Sequence, residues 1–303
     1  GLSGLTNVTG LEVRVFAVEM VYVPQGDFTI APTYRKMFES SISQTGFIIT
    51  PGNQIPTINN RLSPTLSFND WSTSGNATVR IKGDSGIDTD NNGIIDLTTY
   101  PIGYNAFYCY KFELTEQQYA DFLNTLTATQ KTTLGIAGNT ITLINGDYFS
   151  SNPNRACSNS TAIRLLAYAD WSGIRPMTIL EYNKATYGPL LPIAVNPYNR
   201  QFNDYPASGV NSGYYNLPSN SITNLKEVGS YAFATSTREQ SGVSYYGIMD
   251  FTGNAFEPCV RFKNYTFTKA NGNGLLDASG TTDITSWPTT MIYYIDQYNF
   301  YNS

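Results

Sequence analysis

Histidine is absent from all 303 residues of this sequence. Its absence excludes the Ser-His-Asp and Cys-His nucleophile arrangements, zinc or iron sites built on imidazole, and proton shuttles that titrate near neutrality. Paired carboxylates could still act as acid and base in the manner of a glycosidase. The sequence places no such pair, and we expect most acidic residues in turns and on helix faces. We therefore predict no catalytic residue and a chain that is not an enzyme.

Charge is also scarce. Charged residues make up 14% of the sequence and the net charge is −5, whereas an average soluble domain is roughly 25% charged. No run of Lys or Arg exceeds two residues, so the basic stripe that a nucleic-acid partner requires is missing. The apolar fraction of 41% is enough for a sizeable core, which argues against intrinsic disorder.

Long apolar runs are missing as well. No segment approaches the roughly 18 apolar residues that a membrane-spanning helix needs, and the longest stretch, residues 15–23, is interrupted by Glu19. We therefore expect no membrane span. The chain begins at Gly1 rather than Met, and abundant Thr, Asn and Tyr suit an extracellular surface. We expect an exported protein, extracellular or at the cell surface, from which a signal peptide has been removed.

Cysteine is limited to Cys109, Cys157 and Cys259. Their spacings match no zinc or redox motif. In an oxidising compartment the simplest arrangement is one disulfide and one thiol. The alternative is three small, buried apolar side chains.

Short strands are predicted wherever residues alternate with period two and include β-branched side chains. These segments are residues 11–24, 47–50, 77–81, 104–113, 228–234 and 245–251. The rest of residues 25–100 is rich in Gly, Pro, Asn, Ser and Thr, and we expect long ordered loops there.

Helices are predicted at three places. Thr115 with Gln118 forms a capping box that begins the first helix, and Thr178 with Glu181 begins the third. The second covers residues 160–171, where apolar residues surround most of the helix. Few helices, short strands and long loops predict a single α+β domain over residues 1–303.

Four segments between residues 20 and 257 carry motifs. Residues 20–28 match M-x-x-V-P-x-G-x-F, and residues 107–123 are similar to F-x-I-x-K-x-E-V-T-x-x-Q-Y-x-x-F-L. Residues 171–182 are similar to W-x-G-x-R-L-P-T-E-x-E-W, and residues 246–257 to F-G-L-x-D-M-x-G-N-V-W-E. In this order the segments resemble the formylglycine-generating enzyme family, also called the sulfatase-modifying-factor family, in a form typical of a secreted bacterial branch.

The resemblance implies a C-type-lectin-like fold and a calcium site at Asn254 and Glu257. In that fold the first two helices lie near each other, which makes Cys109 and Cys157 the candidate disulfide. The family closes with R-G-G-S-W and G-F-R strands, where its oxidases bind copper through cysteines. This chain has a divergent tail at residues 288–303 without those features, so we do not expect oxidase activity.

A second calcium site is predicted from spacing alone. Residues 88–96 fit D-x-D-x-N-G-x-x-D, the front of an EF-hand-type loop. Its ligands are predicted to be Asp88, Asp90, Asn92, the carbonyl of Ile94, and Asp96. The alternative is an Asp/Asn-rich turn that binds nothing. Residues 269–277 echo the pattern, but Lys269 at the first position argues against a full site.

Three functions compete. The first is a self-assembling filament or surface subunit whose partners are copies of itself, because a surface poor in charge does little to keep a protein monomeric. Residues 291–295 have strand composition and could add to a neighbour's sheet edge. The second is a lectin-like module that binds surface glycans, with the Tyr-rich tail stacking on sugars. The third, an oxidase of the resembled family, is least favoured.

Overall fold

The computed structural model describes thirteen stretches of the chain. They are residues 14–30, 47–49, 101–135, 140–158, 161–189, 225–230, 232–236, 241, 243–251, 254–255, 257–260, 271–282 and 292–295. Within them the fold is a mixture of helices and small antiparallel sheets, in agreement with the predicted α+β class. No described helix is both long and apolar enough to cross a bilayer.

Twelve elements follow one another along the described chain. The strands are β1 (Met20–Val23), β2 (Phe28–Ile30), β3 (Phe47–Ile49), β4 (Phe107–Tyr110), β5 (Ile141–Ile144), β6 (Asp147–Ser150), β7 (Glu257–Val260) and β8 (Ile292–Ile295). The helices are α1 (Glu116–Asn124), α2 (Ala128–Leu134), α3 (Ala162–Trp171) and α4 (Ile179–Tyr187).

The strands pair two by two, always antiparallel. β1 pairs with β4 so that Val21 lies opposite Cys109, and β2 pairs with β3. β5 and β6 form a hairpin around Asn145 and Gly146, both at positive φ, as an Asn-Gly turn favours. β7 pairs with β8, with Glu257 opposite Ile295.

The tail strand therefore pairs within its own chain. Residues 291–295 were predicted to have strand character, which β8 confirms over residues 292–295. β8 pairs with β7 along one edge, and the suggested addition of this strand to a neighbour's sheet stays a prediction.

Both predicted capping boxes are present. The Thr115 hydroxyl accepts the Gln118 N–H at the start of α1, and the Thr178 hydroxyl accepts the Glu181 N–H at the start of α4. A third box, between Thr127 and Gln130, begins α2. These reciprocal bonds satisfy N–H groups that a helix start otherwise leaves without partners.

The main core lies between α1 and α3. Tyr119, Phe122 and Leu123 of α1 are fully buried, and the Phe122 ring meets the Tyr168 ring of α3 edge to face at 5.5 Å. The Tyr119 hydroxyl donates to the Leu134 carbonyl at 2.7 Å, so the polar end of this buried ring is satisfied. Burial of each such side chain stabilises the fold by about 1.5–3 kcal/mol.

A second packed region surrounds α4. The ring of Tyr182 lies 5.1 Å from that of Phe251, and its hydroxyl donates to the Phe251 carbonyl. The buried Lys184 amine donates to the carbonyls of Gly103 and Tyr104. These contacts hold the residues before β4 and the segment before β7 against one helix.

Several predicted strands differ from the structure. Only residues 20–23 of the predicted strand 11–24 form one among the described residues. The predicted strands at 228–234 and 245–251 are turns where described, because side chains such as Asp250 bond their backbone N–H groups. The segment 77–81 lies outside the described residues.

Candidate functional site

A cavity of about 720 Å³ lies beside β4. Its walls come from β4, α3, the loop at residues 173–177 and the start of β7. Each of the four motif segments contributes, through residues such as Met20, Phe107, Arg175 and Glu257. The structure thus brings segments that are distant in sequence to one place.

The lining of this cavity is mainly apolar. Its aliphatic and aromatic members include Met20, Phe107, Phe112, Leu114, Leu165, Leu166, Ile174, Met177 and Phe251. A volume of this size falls within the range of small-molecule sites. It could also receive side chains from another polypeptide.

The outer edge of β4 runs along the cavity. The Lys111 N–H donates to the Glu19 carbonyl at 2.9 Å. In an antiparallel pair, successive residues alternate between bonding to the partner strand and pointing their backbone groups away from it. Cys109 therefore bonds to β1, whereas the backbone groups of Tyr108 and Tyr110 point outward. No second strand of the described chain pairs with this edge.

Residues 107–110 all line the cavity. Successive side chains of a strand point to opposite faces, so a cavity that touches all four follows the edge of β4 rather than one face alone. Among the described residues, this arrangement leaves the outward backbone groups of β4 without a strand partner and next to an apolar space.

Two charged residues of the cavity, Arg175 and Glu181, form an ion pair. Arg175 donates to both carboxylate oxygens of Glu181, at 2.8 and 2.6 Å. The same carboxylate accepts the Thr178 N–H at 2.9 Å. This bidentate pair joins the 173–177 loop to the start of α4 and fixes one wall.

Cys109 and Cys259 are buried neutral thiols. Burial, followed by the charges of Glu181 and Glu257, raises the pKa of Cys109 to about 12. Burial also raises the pKa of Cys259 well above its ordinary value. Because a thiolate is the reactive form, neither thiol is suited to be a nucleophile.

The predicted Cys109–Cys157 disulfide is not formed in the structure. Cys157 belongs to the core cluster with Tyr119 and Tyr168, whereas Cys109 lies near Cys259 and the acidic groups of the cavity. All three cysteines are buried, which is the alternative that the sequence left open.

Two half-buried carboxyl groups, those of Glu113 and Asp250, interact near the end of β4. Glu113 accepts hydrogen bonds from the Asn254 amide at 2.5 Å and the Ala255 N–H at 2.6 Å, and Asp250 accepts the Gly229 N–H at 2.5 Å. Burial, and then the charge of Asp250, raises the pKa of Glu113. Both residues belong to the sequence motifs, but nothing local indicated that they meet.

Two of the predicted calcium ligands, Asn254 and Glu257, lie among the described residues. Asn254 uses its carbonyl oxygen to accept the Lys226 N–H at 2.9 Å and its amide to donate to Glu113. A calcium ion needs six to eight oxygen ligands, and the site expected at Asn254 and Glu257 stays a prediction. Glu257 lies on β7 at the cavity.

Two further observations bear on metal binding. Among the described stretches, no group of three or more His, Cys, Asp or Glu side chains could hold a metal ion. The loop with Asp88, Asp90, Asn92, Ile94 and Asp96 lies outside the described residues. In the echo at residues 269–277, the Asp277 carboxylate accepts bonds from Ser279 and Thr281, which suits a turn rather than a cation.

Comparison with models of known protein families gives no match, and comparison with curated proteins finds no significantly similar sequence. The resemblance to the formylglycine-generating enzyme family therefore rests on the four motif segments and stays a prediction. What the structure adds is that these segments meet around one cavity.

Proposed function

We propose that this chain is a non-catalytic, exported structural subunit that associates with copies of itself. The observation that carries the proposal is the outer edge of β4, which pairs with no second strand in the described part of the chain and lies beside a mainly apolar cavity. Exposed strand edges pair readily with other chains, and an adjoining apolar space supplies the hydrophobic contribution that backbone bonds alone lack.

Exposed aromatic side chains on the same strand pair support this proposal. Tyr22 and Tyr108 lie across from each other with ring centroids 5.2 Å apart, and Tyr108 keeps 65% of its surface exposed. Tyrosine is enriched at protein interfaces because it combines a large apolar ring with a hydrogen-bonding hydroxyl.

The alternatives draw less support from the site. Sugar binding calls for free polar groups, but the cavity is mainly apolar and its Arg175 and Glu181 bond to each other. Oxidase chemistry calls for reactive thiolates, whereas burial raises the pKa values of Cys109 and Cys259. With no histidine in the sequence, we propose no catalytic role.

The finer fold assignment is also a proposal. We infer a C-type-lectin-like organisation from the four motif segments, in which β4 leads directly into α1 through a capping box. We further propose that calcium binds at residues 88–96 and stabilises the assembled subunit.

The molar mass of the full chain in solution tests the proposed function. Light scattering over a concentration series should give species heavier than the 33.5 kDa chain. Tyr108→Lys should lower the mass toward that of the monomer, because a lysine on an edge strand opposes pairing. Leu143→Lys, on the exposed β5–β6 hairpin, is the matched control and should not. A wild-type chain that stays monomeric throughout would contradict the proposal.

A further inference from the structure

We propose that the strand received by the β4 edge is residues 14–18 of a second copy, here called the donor segment. This inference rests on the proposed self-association and specifies its partner and geometry. It places the donor segment antiparallel or parallel along the outer edge of β4, with alternate side chains in the cavity.

The donor segment has the composition of a strand but does not form a strand in the structure. Residues 15–18 are four consecutive apolar residues, two of them valines, within a longer alternating stretch that predicts a strand from residue 11. In the structure β1 begins only at Met20, and residues 14–19 form no helix or strand. A buried-strand sequence thus lies outside any sheet of its own chain.

The donor segment is also exposed. Val15 keeps 84% of its surface exposed, and Phe16 and Ala17 are exposed as well. Phe16 lays its ring edge against Trp171 at 5.4 Å, which leaves Val15 directed to solvent. Burying such residues in a neighbour removes apolar surface from water at roughly 25 cal/mol per Å².

The acceptor edge matches what strand addition needs. Backbone bonds to the outward groups of Tyr108 and Tyr110 would supply affinity, and the cavity would receive every second side chain of the donor segment. Val15 and Ala17 lie on one face of an extended strand, so we place these two in the cavity. Four residues of β4 offer about 13 Å of edge, the length of a donor of four to five residues.

Donor and acceptor are different surfaces of one chain. An interface of this kind is heterologous, so it closes into a ring or continues into a filament. Each subunit would receive the donor segment of one neighbour and donate its own segment to another.

Complementation between two variants of the full chain tests this geometry. Val15→Asp with Ala17→Asp removes a usable donor but leaves β4 intact, and both sites are exposed in the subunit itself. Tyr108→Pro removes one outward N–H without touching the bonds to β1. Each variant alone should be monomeric by sedimentation velocity. An equimolar mixture should form a dimer of twice 33.5 kDa and grow no further.

Controls keep the outcomes separate. Leu143→Asp with Phe149→Asp adds the same charge to exposed apolar sites on the β5–β6 hairpin and should leave assembly unchanged. If Tyr108→Pro does not fold, Tyr108→Lys replaces it. A donor variant that assembles like the wild type, or two monomeric variants that form no dimer when mixed, would overturn this inference while the proposed function stands. A monomeric wild type would overturn both.

Discussion

Glu113 and Asp250 place two half-buried carboxyl groups together near the end of β4, where each accepts a hydrogen bond from one backbone N–H. Burial raises the pKa of Asp250 to about 6, and burial together with the Asp250 charge raises that of Glu113. The pair therefore favours a proton in the folded protein at a pH where both groups would be ionised in the unfolded chain.

Stability should consequently fall as the pH rises from about 4 to 7. A carboxyl group whose pKa is raised on folding stabilises the fold below its unfolded pKa, and this contribution is lost as the pH passes through the folded value. We expect a loss on the order of 1–3 kcal/mol, measured as the free energy of unfolding in urea at several pH values.

Asp250→Asn tests whether this carboxyl pair causes the pH dependence of the free energy of unfolding. Asn keeps an oxygen for the Gly229 N–H and tolerates the positive φ of 59° at this position. The variant should flatten the pH dependence between 4 and 7. An unchanged slope would mean that the pair does not govern it.

Gly229 should resist substitution more than Gly146. An alanine Cβ at Gly229 would lie 2.5 Å from the Phe112 ring, whereas at Gly146 it would meet nothing within 4 Å. Both residues have positive φ, so the strain from backbone conformation is similar. We expect Gly229→Ala to cost about 1–3 kcal/mol more than Gly146→Ala, measured by thermal unfolding. Equal costs would contradict the packing of Phe112 on this turn.

How far the sequence alone predicts this structure depends on distance along the chain. The boxes Thr115–Gln118 and Thr178–Glu181 are local, so spacing located both helices. The same spacing marks Thr127 and Gln130, and Asn145-Gly146 marks a hairpin. Neither element is among the helices and strands predicted from the sequence, although both signals are local.

Contacts between residues that are distant along the chain have no such local signal in the sequence. The pairing of β1 with β4 and the meeting of Glu113 with Asp250 depend on how distant segments pack. Cys109 and Cys157 were predicted to form a disulfide because each precedes a helix, yet both are buried thiols in the structure although they line the same cavity. The sequence identified the motif segments that line the cavity, but it did not show that they meet to form one.

All three cysteines should be recovered as thiols. Because burial raises the pKa values of Cys109 and Cys259, alkylation of the native protein at pH 8 should be at least ~10-fold slower than in denaturant. Mass spectrometry after alkylation in denaturant, without reductant, should show three labels. A single label would indicate a disulfide and contradict the structure.

Calcium should stabilise the chain through residues 88–96. We expect it to raise the melting temperature by mass action and a chelator to reverse the rise. Asp88→Asn with Asp96→Asn should abolish the effect. Asp277→Asn is the control, because that carboxylate accepts bonds from Ser279 and Thr281 within its own turn. A calcium effect that survives in the Asp88 and Asp96 variant would place the ion elsewhere.

Hydrogen exchange at β4 tests self-association through its edge most directly. The amides of Tyr108 and Tyr110 point outward, whereas Cys109 lies opposite Val21 of β1, and we expect assembly to leave that pairing unchanged. On dilution from assembled to monomeric protein, we expect exchange at Tyr108 and Tyr110 to accelerate while exchange at Cys109 stays slow. Exchange at Tyr108 and Tyr110 that does not change with protein concentration would contradict self-association through the β4 edge.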